Sequence, residues 1–177
     1  MRTLVLDPPT AGLDPLLERR RRSGLDRLDE VWEGVLHMVP APSHAHASIE
    51  WQLAALLRPA ARAAGLEPTG RCNLGESEHD FRAPDGALHR PGAHGTWHPT
   101  AALVVEIVSP GDETWEKLPF YATHSVDEVL IVDSQERSVS WLELKDGGYH
   151  PIERSGLVDL GAQGLAGRLE WPPIDRS

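Results

Sequence analysis

The chain is poor in several things that would narrow its chemistry at once. It has 177 residues but one cysteine, two methionines, two tyrosines and two phenylalanines. The single thiol, Cys72, rules out an intrachain disulfide and a multi-cysteine zinc cluster, and points to a reducing cytoplasm. Long apolar runs are missing too. The longest, residues 101–108, is interrupted by Glu106 and falls far short of the roughly 18 residues a membrane helix needs. The opening MRTLVLDPPT has one arginine and few apolar residues before Asp7 and two prolines, unlike a signal peptide. Basic charge is scarce, with 17 Lys and Arg against 27 Asp and Glu, for a net charge of −10. Such a surface repels polyanions and disfavours unspecific coating of nucleic acid, while leaving room for a local basic cleft or a carboxylate metal site. No P-loop, G-x-G-x-x-G, G-x-S-x-G or EF-hand occurs.

What is present suits one soluble domain, with 40% hydrophobic and 25% charged residues. Asp14 and Pro15 predict a short helix over residues 13–22, stopped near Gly24. Leu28 to Met38 reads as two strands meeting at Glu33-Gly34. Ser43 is placed to cap a long helix over residues 44–64, with Ile49, Leu53, Leu56 and Leu57 on one face and Gly65 at its end. Residues 66–99 are rich in Gly, Pro and polar side chains, with short strands at 70–74 and 86–89. Leu103–Ser109 is the clearest strand. A helix from Asp112 to about Tyr121 follows, with a kink expected at Pro119. Strands at 128–133 and 138–144 come next, then a turn at Asp146-Gly147-Gly148 and a strand at 149–153. This order predicts an α/β or α+β domain built on one mixed sheet.

Glu106 stands out. In a strand, Leu103, Val105 and Ile107 line one face and Val104, Glu106 and Val108 the other. Both faces are apolar, so the strand should be central and covered on both sides. An ionised carboxylate there costs several kcal/mol unless a cation or several donors compensate it. Lys117, in the following helix, is placed to return over the end of the strand. Asp85 lies in Pro84-Asp85-Gly86, a turn signature in its own right. With Glu106 it forms the carboxylate pair that an oxygen-seeking Mg²⁺ or Mn²⁺ requires. Nine histidines raise a zinc reading, with His89, His94 and His98 crowding one loop, but no zinc-protease spacing is present. His46 is singled out because Glu50 follows one helical turn later, a pair suited to proton acceptance beside a cleft. The run Arg19–Arg22 reads as a solvated helix face, and the scattered tryptophans as packing residues.

Taken in order, the segments 28–38 (LDEVWEGVLHM), Pro42-Ser43 with His46, Pro84-Asp85, 103–110 (LVVEIVSP), Glu116-Lys117-Leu118 with Tyr121-Ala122, and 126–133 (VDEVLIVD) resemble the Uma-two family. That family is a branch of the PD-(D/E)XK nuclease superfamily, and the likeness spans about residues 25–155. The resemblance implies a restriction-endonuclease-like mixed central sheet flanked by helices, as a nuclease domain over residues 25–177 behind a lead-in and short helix at 1–24. It implies a metal-dependent endonuclease acting on nucleic acid, DNA first; a homodimer is expected because duplex-cutting nucleases often work as symmetric pairs and two-fold dimers are the commonest assembly. Asp85 and Glu106 match the motif carboxylates, with the carbonyl of Ile107 as a third ligand for Mg²⁺ or Mn²⁺. Val108 stands where the wider superfamily has its lysine, and Lys117 matches the displaced lysine of this branch. His46 would assist. Gly86 and Pro119 depart from the family pattern beside Asp85 and Lys117. The competing reading is a nuclease-fold binding or assembly module without turnover, which the net charge favours.

Overall fold

The computed structural model describes residues 4–6, 13–109, 111 and 113–173. Strand β1 (Leu4–Leu6) precedes helix α1 (Asp14–Ser23), which ends on Gly24 at φ 71°. The N-cap of α1 is Leu13, with Asp14 the first helical residue, so Asp14 meets the helix dipole without capping it. Strands β2 (Glu30–Trp32) and β3 (Val35–Met38) form a hairpin. Glu33 and Gly34 both have positive φ, 51° and 87°, as a two-residue turn matching strand twist requires. Helix α2 (His44–Ala63) is capped by the Ser43 side chain, which accepts from the His46 backbone N–H at 3.2 Å.

The Gly- and Pro-rich middle holds more strand than its composition suggests: β4 (Glu67–Thr69), β5 (Asn73–Ser77), β6 (Asp80–Arg82), β7 (Gly86–His89) and β8 (Trp97–His98). Then come β9 (Leu103–Val108), β10 (Glu128–Asp133), β11 (Ser138–Lys145), β12 (Gly148–Ile152) and helix α4 (Ala162–Ala166). Between β9 and β10 the single helix expected from Asp112 onward is two pieces, a 3₁₀ turn at Trp115–Lys117 and α3 (Leu118–Thr123). Pro119 sits in the first turn of α3, where a missing N–H costs nothing, so it starts this helix and does not kink it. The expected cap Asp112 lies outside the described residues.

Two mixed sheets are present. The central one runs β12-β11-β10-β9-β7-β4, and a second, which the sequence reading did not separate, runs β1-β3-β2-β6-β5-β8. Strands β9 and β10 pair in parallel at the centre, and their other neighbours are antiparallel. Strand β9 is covered on both faces. Leu103, Val105 and Ile107 join Leu130, Val132 and Trp141 against Ile49, Leu53, Leu57 and Ala61 of α2. Val104 joins Val129, Ile131 and Leu142 against Tyr121 of α3 and Leu74 of β5. The four-residue spacing on α2 makes one continuous apolar stripe, and each fully buried Ile or Leu contributes roughly 1.5–3 kcal/mol. Arg82 lies between the rings of Trp32 and Phe120, 4.4 and 4.0 Å from their centroids, and so ties β2 to α3. The result is an α+β domain in which the C-terminal end of β9, the start of α2 and the segment before β7 meet.

Candidate active site

Three buried carboxylates converge where those elements meet. Asp85 stands immediately before β7, Glu106 points from β9 toward α3, and Glu30 comes from β2; all three are 6% exposed or less. Lys117, at the end of the 3₁₀ turn, binds two of them. Its Nζ lies 2.9 Å from Glu30 Oε1, and 3.2 and 3.3 Å from the Glu106 oxygens. The Tyr121 hydroxyl also donates to Glu106. Glu30 is further held by the Trp32 indole N–H at 2.7 Å and the Ala83 backbone N–H at 2.9 Å.

Asp85 is fixed from three sides. The Ile107 backbone N–H donates to its Oδ2 at 2.8 Å, the His46 Nε2 reaches its Oδ1 at 3.1 Å, and the Arg71 guanidinium pairs with the same Oδ1. The Ile107 bond anchors Asp85 at the cleft, so Gly86 does not bend it away. An extended residue presents its N–H and C=O to one side of the strand, so the Ile107 carbonyl emerges beside Asp85. These groups line a small cleft of about 70 Å³ whose rim includes Ser109, Glu113 and Thr114.

The electrostatics follow from burial and like charge. Burial raises the Glu106 carboxyl, and the charges of Asp85 and Glu30 add to this against the pull of Lys117, leaving it at about 7. Burial acts on Asp85 and Glu30 as well, but His46 and Arg71 outweigh it for Asp85, and Lys117 for Glu30, so both are held below the usual carboxylate range. Lys117 is pushed above its ordinary value because Glu106 and Glu30 overcome burial. Burial lowers the His46 imidazole, yet its bond to Asp85 wins and raises it. Two ionised carboxylates, a lysine and a half-titrated glutamic acid thus share one enclosure, as sites poised for proton or cation chemistry do.

The structure brings Asp85, Glu106, Ile107, Lys117 and His46 together. The ring of His46 meets Asp85 and, at 3.1 Å, the Ser109 hydroxyl, while Glu50 acts on it only through its charge, as the smallest of the influences on the ring. Glu30, Arg71 and Tyr121 were not singled out from the sequence. Glu30 and Tyr121 fall inside the family-like segments, a signal that could have found them, whereas nothing around Arg71 marks it. The zinc reading is not supported. His89 and His98 stack on each other with centroids 4.4 Å apart, and His94 bonds the Gly92 carbonyl. No group of three or more His, Cys, Asp or Glu among the described residues is placed to hold a metal ion. Nor is the basic run at 19–22 uniformly solvated. Arg21 and Arg22 pair with Glu18, but Arg20 is nearly buried and pins α1 to Asp29 and to the Val39 carbonyl.

The oxygen-rich donor set, two carboxylates and a carbonyl on one cleft, fits a hard divalent cation that keeps several waters, and an excess carboxylate held near 7 is what such a cation would relieve. It does not fit a cation requiring an all-protein cage.

A sequence model of the Uma2 family, described as "Putative restriction endonuclease", matches residues 20–168. No curated protein matches the chain. Among solved structures, a "putative nuclease belonging to DUF820" from Anabaena variabilis aligns with a TM-score of 0.64 at 15% identity, covering 79% of this chain and 90% of that one. The structure of a DrdV–DNA complex aligns with a TM-score of 0.43 at 15% identity, this chain spanning 12% of its length.

Proposed function

Because the chain belongs to the Uma2 family, whose model covers most of its length, we propose that it is a Mg²⁺- or Mn²⁺-dependent nuclease hydrolysing phosphodiester bonds of nucleic acid, DNA first. The observation that carries this reading is the convergence of Asp85, Glu106 and Lys117 in one buried cleft. Asp85, Glu106 and the Ile107 carbonyl would hold the ion. The chemistry an ion supplies there is Lewis acidity toward a phosphate oxygen and toward water.

The residues of the chain do the rest. The Ile107 N–H keeps Asp85 aimed into the cleft and His46 and Arg71 keep it ionised. Lys117 remains an ammonium in this enclosure, so it offers N–H donors to the attacking water and to charge developing on the phosphate. Arg71 is partly open to the cleft and stands where a substrate phosphate would exchange with Asp85. His46, hydrogen-bonded to both Asp85 and Ser109, holds the start of α2 against the site.

The competing reading, a binding module without turnover, draws on the net charge of −10. Incubation of wild type and Glu106→Gln with circular and linear DNA in Mn²⁺ separates the two. The nuclease reading expects cleavage by wild type and a loss of at least a hundredfold in the variant. Binding of DNA without cleavage by wild type would make the module the better account.

A further inference from the structure

A second cavity borders the first. It lies between α2 and the edge formed by β4, β7 and β9, with a volume of about 280 Å³. Leu53, Leu57, Pro68 and Val105 form its walls, and Asp85 and Ile107, which also line the candidate active site, close one end. Its volume falls just below the range of about 300–1,000 Å³ typical for drug-sized ligands, so it suits something as small and flat as one nucleobase.

Besides Asp85 at the shared end, the cavity is bordered by one carboxylate, Glu50, and two cations, Arg58 and Arg62. Arg58 and Arg62, one helical turn apart on α2, border the cavity, are exposed, and form no ion pair among the described residues. Of the other exposed arginines described, half differ, since Arg21 and Arg22 pair with Glu18, Arg90 with Asp127 and Arg154 with Asp159, while Arg19, Arg27, Arg137 and Arg168 form no ion pair among the described residues. Two unpartnered cations on a chain of net charge −10 mark this rim as complementary to an anionic ligand. Trp51 is 81% exposed, the most exposed large hydrophobic residue described. The spacing 51, 54, 58, 62 sets Trp51, Ala54, Arg58 and Arg62 along one face of the helix.

We propose that this groove binds an unpaired nucleotide of a nucleic-acid strand, its base in the apolar cavity and its neighbouring phosphates on Arg58 and Arg62, with Trp51 stacking a further base. The inference rests on the nuclease reading and narrows its substrate to a strand that is single or locally opened. A base stacked within a duplex cannot enter an apolar cavity, whereas an extruded or single-stranded base gains both burial and stacking. The shared end at Asp85 and Ile107 brings that strand's backbone to the cleft.

The test is fluorescence anisotropy with a labelled single-stranded oligodeoxynucleotide and its blunt duplex, in EDTA so that binding does not depend on metal. Wild type should bind the single strand at least tenfold more tightly than the duplex. Arg58→Ala/Arg62→Ala should weaken single-strand binding about tenfold and reduce the slope of log affinity against log salt by about two. Ala54→Trp, at an exposed position on the rim, should abolish the preference for the single strand. Duplex preference by wild type, or unchanged binding in both variants, would overturn the proposal. So would loss of binding together with dissociation of a dimer on a sizing column, since the face would then be a contact between copies. Mn²⁺ affinity and cleavage, measured on the same variants, keep the two readings apart. Cleavage at the wild-type rate by Ala54→Trp on both substrates would sink the base pocket while leaving the nuclease standing. Absence of cleavage and of any nucleic-acid binding by wild type would remove both.

Discussion

Two glutamates on neighbouring parallel strands teach how to tell a site from a scaffold. Glu106 on β9 and Glu128 on β10 are 3% and 2% exposed, and their strands pair in register, Glu128 beside Leu103 and Glu106 beside Ile131. Glu128 is satisfied by neutral donors alone: the Trp141 indole N–H at 2.6 Å, the Ser155 hydroxyl at 2.6 Å and the Gly156 backbone N–H at 2.7 Å. Those bonds tie the loop after β12 to the central sheet, and the carboxylate across from it on β11, Glu143, is exposed to solvent. Glu106 instead lies with Asp85 and Glu30 around a single lysine, at the C-terminal end of its strand and against a cleft. Burial of a carboxylate is therefore common to both ends of the sheet. Convergence of like charges beside an opening belongs to one.

The comparison can be broken first at Glu128. Replacing it with Ala leaves an indole, a hydroxyl and a backbone N–H without acceptors, at a cost of roughly 3–5 kcal/mol. Thermal denaturation should show a fall of about 10 °C or more, with Mn²⁺ affinity of the folded fraction unchanged. A small effect on melting would mean that Glu128 is not the structural member of the pair.

Glu106→Gln should do the opposite. The folded state keeps a proton on Glu106 up to about pH 7 that the unfolded chain releases at its ordinary carboxylate value. Stability therefore falls as pH rises through that window, and the amide removes the penalty. At pH 8 the variant should be more stable than wild type by about 1–3 kcal/mol, with little difference at pH 4 and with metal binding lost. Destabilisation at both pH values would return Glu106 to the role of a structural ion-pair partner.

Lys117→Ala should keep or raise Mn²⁺ affinity, because it leaves Glu106 and Glu30 without their cation, while cleavage falls at least a hundredfold. Lost metal binding in titration calorimetry would contradict this. The smallest effect is expected at His46. In His46→Gln, Asp85 retains the Ile107 N–H and Arg71, so cleavage should fall about tenfold and melting move by no more than a few degrees. A complete loss of activity in a folded His46→Gln would show that the ring itself takes part in proton transfer.

Much of this arrangement was legible in the chain. The apolar run of 103–108, with both faces of the strand apolar, predicts a central strand covered on both sides, and its one ionisable residue stands out for a physical reason. Ser43 and the apolar repeat from Ile49 gave α2 because capping and helical period are local signals. The second sheet was hidden, since its strands are three to five residues long or less and contain Gly75 and polar residues whose pairing partners are distant in sequence. Pro119 misled in the same way, as a proline means a kink inside a helix and a start at its first turn, and the break at Lys117 decides which. For the site, residue types at 85, 106 and 117 could be read, but Arg71 and the rotation of His46 toward β9 depend on how α2 and the segment before β7 dock. No local pattern encodes that docking.

The most direct test of the central claim is calorimetric titration of Mn²⁺ into wild type and Asp85→Ala at pH 6. The account predicts one saturable site in wild type, with release of close to one proton as Glu106 gives up the one it holds below about 7, and no binding in the variant. Equal affinity in both proteins, or a wild type that binds no Mn²⁺ with or without an oligonucleotide, would contradict it.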